Sequence, residues 1–194
     1  MTDTNALATR GIHHLGLNTE DMKMTIDYYV DVLGMKLVHA MKIPPGLGAG
    51  PNNRGNPPYE NLRHYFFDMG NDSLLAFFEM PKGEKQVGDR DAIAAMQHVS
   101  FSMLPDAFEA LQLRLKERDI DTIGPLEVLP SVFSVYFFDP NGIRLEASCQ
   151  PADGKMPRIA TAATQTKSQA RAELATLTDD DDWINKRVAA LPDG

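Results

Sequence analysis

A single cysteine, Cys149, stands in the whole sequence. That excludes an internal disulfide and a cluster of thiolate metal ligands. There is no run of 18 apolar residues, so no stretch reads as a membrane-spanning helix. Positive charge is scarce: 19 Lys and Arg stand against 27 Asp and Glu, a net charge of -8. A nucleic-acid binder needs a basic surface to meet phosphates, so that class is disfavoured. The opening stretch "MTDTNALATR" lacks the basic start and apolar core of a secretory signal. These features together lead to an expected cytoplasmic location, with neither a membrane nor a nucleic acid as partner.

What is present suits a globular chain: 43% hydrophobic and 24% charged residues, enough for one domain or two small modules sharing a core. "IHHLGL" alternates as a strand does. In "TEDMKMTIDYYVDVLG", Thr19 or Asp21 can cap a helix whose face carries Met24, Tyr28 and Val32, and Gly34 ends it. "MKLVHAMKI" reads as a strand. Residues 44–61 hold five prolines, four glycines and four asparagines, which predicts a long loop of the functional kind. "LRHYFFDM" and "SLLAFFEM" form a hairpin around Gly70, Asn71 and Asp72.

A second pass repeats the first. "MQHVSFSM" is a strand, and "PDAFEALQLRLKERD" is a helix with Phe108, Leu111 and Leu115 on one face. "DTIGPLEVL", "SVFSVYFFD" and "IRLEASC" are strands, the last two joined by the "DPNG" turn. The order strand–helix–strand–strand–strand therefore occurs twice. Aligning the repeats lays His14 over His98, His13 over Gln97, and Ala76 over Glu146. Residues 151–194 differ: an Ala/Thr-rich stretch, then "DDDDWINKRVAALPDG". They read either as a disordered tail or as a helical arm packed through Trp183, Ile184, Val188 and Leu191, with the aspartates at a helix N-terminus.

Paired βαβββ modules that open on "IHHLGLN" and "MQHVSFS" and close on "YFFDPNGIRLEAS" resemble the vicinal oxygen chelate superfamily. That family includes glyoxalases, an epimerase, extradiol dioxygenases and antibiotic resistance proteins. The resemblance covers residues 10–150, with module one over about 10–82 and module two over about 94–150. It implies an α+β fold in which the two modules curl into a half-barrel cup, with 151–194 as a C-terminal extension. It also implies a divalent metal held by His14, His98 and Glu146, a facial triad of the kind that suits Fe(II), with Mn, Ni or Zn as alternatives. His13 then faces outwards.

The four-ligand plan of the glyoxalases would need a carboxylate or amide where Ala76 stands; Glu79, three residues on, has the opposite strand parity and needs a bulge to turn inwards. Three ligands favour the extradiol arrangement. Tyr136, ten residues before Glu146, matches a tyrosine that extradiol enzymes place on a substrate oxygen. Their catalytic histidine has no counterpart in "GNDS", and His64 is the substitute acid or base on the neighbouring strand. His39 reads as an ordinary strand-end residue. The expectation is a metal-dependent dioxygenase acting on a small bidentate substrate, aromatic ones included, and working as a homodimer. A lyase or isomerase using Glu79 is the alternative, and a metal-free binding protein is the third class.

Overall fold

The computed structural model describes residues 11–44, 61–84, 88–129, 131–150 and 163–194. Most of the Gly/Pro-rich 44–61 stretch and the start of the C-terminal extension lie outside them. The first module runs β1 (His14–Thr19), α1 (Met22–Asp27) with a π-helical continuation (Tyr28–Val32), β2 (Lys36–Lys42), β3 (Arg63–Gly70) and β4 (Ser73–Glu79). The second runs β5 (Val99–Met103), α2 (Pro105–Glu117), β6 (Ile123–Leu129), β7 (Val132–Phe138) and β8 (Arg144–Cys149). Each forms a four-stranded mixed sheet, ordered β1-β4-β3-β2 and β5-β8-β7-β6. In each, the first strand runs parallel to the last and the other pairs are antiparallel. The α+β double module expected from the repeat is the observed architecture.

Local chemistry explains the elements. Asp21 caps α1 by accepting the N–H of Met24 at 2.9 Å. The buried face of this helix is not the stripe expected from a spacing of four. Met22, Thr25, Tyr28, Tyr29 and Val32 are buried, while Met24 is only half-buried. Met22, Thr25, Tyr29 and Val32 follow the ordinary 3–4 helical alternation in another phase, and Tyr28, at the start of the π segment, is buried beside Tyr29. Gly34, at φ +77°, then reverses the chain. In α2 the spacing was sufficient, and Phe108, Leu111 and Leu115 are the buried residues. The β3–β4 turn places Asn71 and Asp72 at positive φ, 49° and 62°, a conformation these short polar residues tolerate.

The helices of both modules pack on one continuous core that includes Leu17, Tyr29, Phe67 and Phe77 from the first module with Val99, Leu111, Phe137 and Leu145 from the second. Each such side chain contributes about 1.5–3 kcal/mol through burial. A polar seam fixes the modules relative to each other. Tyr29 donates its hydroxyl to Asp139 Oδ2 at 3.1 Å, Tyr28 donates to the carbonyl of Phe138 at 3.1 Å, and Arg114 Nε donates to the carbonyl of Val32 at 2.9 Å. Asp139 also holds the "DPNG" turn, accepting the N–H groups of Asn141 and Ile143 at 2.9 and 2.7 Å. Burial pushes its carboxyl above the ordinary aspartate value, and the hydrogen bonds from Asn141, Ile143 and Tyr29 only partly offset that.

The C-terminal extension contains a helical hairpin, α3 (Lys167–Leu174) and α4 (Asp181–Val188). Thr166 and Gln169 form a capping box on α3, and Asp180 caps α4 through the N–H of Trp183. Asp181 and Asp182 occupy the first turn of α4 as the helix dipole favours. Arg171 ties the two helices through Asp181 and Asn185. Ile184 and Val188 are buried as expected of an arm, whereas the Trp183 ring is exposed beneath the Arg187 guanidinium. Among the described residues no helix is long and apolar enough to cross a membrane.

Candidate metal centre

Strand alternation sends neighbouring side chains to opposite faces. In the first sheet Leu75, Phe77 and Phe67 go to the helices and the core. The register lays Gly16, Ala76, Phe66 and His39 in one row across the other face, with Phe78, His64 and Met41 in the next. In the second sheet the corresponding face carries Ser100, Glu146 and Tyr136 in one row and Ser102, Ser148 and Ser134 in the next.

The second sheet brings His98 and Glu146 together. His98 Nε2 lies 2.9 Å from Glu146 Oε2. His98 Nδ1 contacts Gln97 Oε1, and Gln97 Nε2 in turn donates to Asp91 Oδ1 at 3.3 Å, which orients the amide. An amide oxygen only accepts, so Nδ1 carries a proton; Nε2 then either donates to the carboxylate from an imidazolium or, in the neutral ring, turns its lone pair toward it. In the neutral form the two atoms are a pair of donors that one cation could engage; in the protonated form they are an ion pair. Burial alone would raise the Glu146 carboxyl. Hydroxyl hydrogen bonds from Ser134, Tyr136 and Ser148, with the His98 imidazole nearby, more than offset it, so the group titrates below its ordinary value. The Tyr136 ring meets His98 edge-on with centroids 6.0 Å apart and lies 4.9 Å beneath the Arg144 guanidinium. Burial, and then the adjacent Glu146, raise the Tyr136 phenol.

The first sheet carries a complementary imidazole face. His14 is exposed, its ring 6.5 Å from His64 and 5.8 Å from Phe66. His13 is exposed as expected and contacts His14 Nδ1 through its own Nδ1 at 2.8 Å. Gln97 does the same to His98, so in both modules the preceding side chain engages Nδ1 and leaves Nε2 for a ligand. His64 is not a solvated strand-edge residue: it is buried, stacks on Phe78 at 3.7 Å and contacts the carbonyl of Phe77 through Nδ1 at 3.2 Å. Desolvation depresses its basicity against the raising effect of the Phe77 carbonyl, and His14 and His39 lower it further. Burial thus favours the neutral ring, and with Nδ1 donating to the Phe77 carbonyl that ring carries its lone pair on Nε2. His39 lies within β2 opposite Phe66, ring centroids 5.7 Å apart, and so belongs to this face rather than to a strand end.

The structure thus brings His98, Glu146 and Tyr136 together on one sheet and His14 with His64 on the other. Among the described residues no group of three His, Cys, Asp or Glu is gathered closely enough to hold an ion. Glu79, the conditional fourth ligand, is committed elsewhere. It keeps the parity of the core face, accepts the N–H of Met22 at the start of α1 at 2.9 Å and pairs with Arg63. Ala76, fully buried, stays in the row with Gly16 and Phe66.

His98 and Glu146 supply two of the donors that a divalent ion would take. Two ligand atoms about 2.1 Å from one ion and at right angles lie about 3 Å apart, close to the His98–Glu146 separation. The sequence reading missed Gln97, Ser134 and Ser148 as partners of these donors. A polar residue immediately before His98, and a serine two residues after Glu146, were the available signals.

Comparisons with known proteins agree with the double module. A profile of the Glyoxalase/Bleomycin resistance protein/Dioxygenase superfamily matches residues 11–147, spanning both sheets. A glyoxylase/bleomycin resistance protein/dioxygenase domain from Frankia sp. EAN1pec superposes with a TM-score of 0.56 at 20% identity, over 75% of this chain and 100% of that one. A glyoxalase/dioxygenase from Nostoc punctiforme gives 0.54 at 22% identity, over 76% and 99%. A glyoxalase family protein from Enterococcus faecalis gives 0.53 at 20%, over 71% and 96%. At these identities the likeness is one of fold. A search of curated protein sequences found no match.

Proposed function

The chain belongs to the Glyoxalase/Bleomycin resistance protein/Dioxygenase superfamily, and from that membership we propose that it is a metal-dependent enzyme. The specific reading is an Fe(II) extradiol-type dioxygenase acting on a small substrate with two adjacent oxygens. The observation that carries it is the His98–Glu146 pair, 2.9 Å apart on the hydroxyl-lined face of the second sheet. The commitment of Glu79 to the N-terminus of α1 supports three protein ligands over four.

The ion would be held by His14, His98 and Glu146. His14 lies on the other sheet, so the set is completed by a second copy: a homodimer in which module one of each chain covers module two of its partner. The exposure of β6 along its whole length, with Ile123, Leu126 and Leu129 open, supports this reading. So does the exposure of Leu37 and Val38 on β2. The site would lie between copies, and each copy would contribute to two sites.

When bound, the ion acts as a Lewis acid that favours the ionised form of a chelating substrate hydroxyl. The chain's own residues do the rest. His64, neutral and with its tautomer fixed by the Phe77 carbonyl, takes or returns a proton at Nε2. Tyr136 offers its hydroxyl to a substrate oxygen beside Glu146. Phe66 and Phe78 present apolar rings to a planar substrate. Fe(II) suits two imidazoles and one carboxylate; Mn, Ni and Zn are the other candidates. A lyase or isomerase would need a mobile carboxylate near the substrate, and Glu79 is instead engaged by Met22 and Arg63 with the opposite strand parity.

The test is oxygen uptake by protein purified without oxygen, reconstituted with Fe(II) and offered catechol-like substrates. The reading predicts substrate-dependent uptake that disappears in Glu146→Ala. Stoichiometric iron with no uptake on any vicinal diol would contradict the dioxygenase assignment. Absence of any bound divalent metal would contradict the metal-dependent one.

A further inference from the structure

The second sheet carries a ladder of hydroxyls that the metal-ligand set does not use. Ser134 on β7 and Ser148 on β8 are register partners, with Oγ atoms 2.9 Å apart. Ser100 on β5 reaches the same Ser148 Oγ at 2.8 Å. Ser148 Oγ donates to Glu146 Oε1 at 3.1 Å. A serine hydroxyl has one proton and two lone pairs. With its proton committed to the carboxylate, Ser148 accepts from Ser100, so the chain of donors points inward from an exposed end to a buried anion. Such chains polarise one another in the same sense. The two oxygens of Glu146 are then unequal: Oε1 is tied to the ladder, and Oε2 faces His98 at 2.9 Å.

We propose that Ser148, backed by Ser100 and Ser134, is a positioning residue that ties down Oε1 of Glu146 and presents Oε2 beside His98 as the oxygen that meets an ion. The inference rests on the metal-binding reading above and adds to it the residue that sets the geometry of its carboxylate. Without Ser148, Oε1 loses one of the three hydroxyls that hold this carboxylate, Ser134 and Tyr136 being the others, and the pairing of Oε2 with His98 Nε2 is held less firmly. Partners of this kind typically change metal affinity by about 10–100-fold.

Mn(II), which is stable in air, is the probe. Titration calorimetry on the full chain would compare wild type with Ser148→Ala, Ser148→Thr, Ser100→Ala and Glu146→Ala, each checked by thermal melting. Ser148→Ala should weaken Mn(II) binding by about 10–100-fold. Ser148→Thr keeps the hydroxyl in a residue that strands favour and should bind within about threefold of wild type, since the partner is retained. Ser100→Ala, one step farther out, should fall between them. Ser148→Ala binding as tightly as wild type, or Ser148→Thr binding as weakly as Ser148→Ala, would overturn the positioning role while Mn(II) binding by wild type still stood. A wild type that binds no Mn(II), Fe(II), Ni(II) or Zn(II) would overturn the metal-binding reading, and this inference with it.

Discussion

Glu79 Oε1 accepts the backbone N–H of Met22, 57 residues away in sequence, at 2.9 Å. A carboxylate that closes the first turn of a helix is a structural group. Glu79→Ala should therefore leave metal affinity unchanged and lower stability by about 1 kcal/mol, the usual worth of a lost helix cap. The Arg63 partner is half-exposed and adds little. Parallel melting and metal titration check both halves. A variant of unchanged stability that loses its metal would reverse the assignment.

In the proposed reading His64 moves a proton without holding the ion. His64→Gln should lower kcat about 100-fold or more, with Mn(II) affinity within about threefold of wild type because no donor to the ion is removed. Its folded-state pKa is depressed, chiefly by desolvation. The ring therefore stays neutral below the ordinary histidine value of about 6.5, and the acid limb of the rate profile assigned to it should lie under that value. A limb above it would point to another group.

Tyr136→Phe removes a hydroxyl that bonds Glu146 and that the proposed reading also offers to substrate, and leaves the ring beneath Arg144. The expected result is a drop in kcat of about 100-fold, larger than any loss in metal affinity. Equal losses in the two measurements would make the tyrosine a partner of Glu146 only.

Asp139 ties the modules together and is buried, with its folded-state pKa raised chiefly by desolvation. The sign follows from linkage. A raised pKa means the folded state holds the proton more tightly than the unfolded chain. The stability this group contributes is present below the unfolded value of about 3.9 and is lost as pH rises through the folded value. Asp139→Asn cannot titrate. The stability advantage of wild type over Asp139→Asn should therefore shrink as pH rises from about 3.9 toward neutrality. Denaturant unfolding at several pH values measures it, and an advantage that grows with pH would contradict the account.

The sequence disclosed most of what depends on local pattern. The repeat predicted both sheets, because strand order follows from a strand–helix–strand–strand–strand unit used twice. The Phe108, Leu111 and Leu115 spacing named the buried face of α2. The α1 face differs in phase: a spacing of four from Met24 meets Tyr28 and Val32, which are buried, but passes over Met22, Thr25 and Tyr29. Glu79 could be ruled out as a ligand only by parity, since its partner lies across the fold at Met22. The repeat alignment that gave His14 and His98 equivalent positions said nothing about whether the two modules of one chain face each other. That is decided by the Tyr29–Asp139 and Arg114–Val32 seam, which joins residues 110 and 82 positions apart.

The central claim is a metal site shared between copies, and mixed dimers test it most directly. His14→Ala and Glu146→Ala would each be purified, shown to bind no stoichiometric Mn(II), then mixed in equal amounts under conditions that exchange subunits. A heterodimer of the two has one intact site and one doubly defective site. With half of all dimers mixed, Mn(II) should return to about a quarter of the sites. If each chain instead builds its site alone, every site in the mixture stays defective, and an absence of restored Mn(II) despite demonstrated subunit exchange would contradict the account.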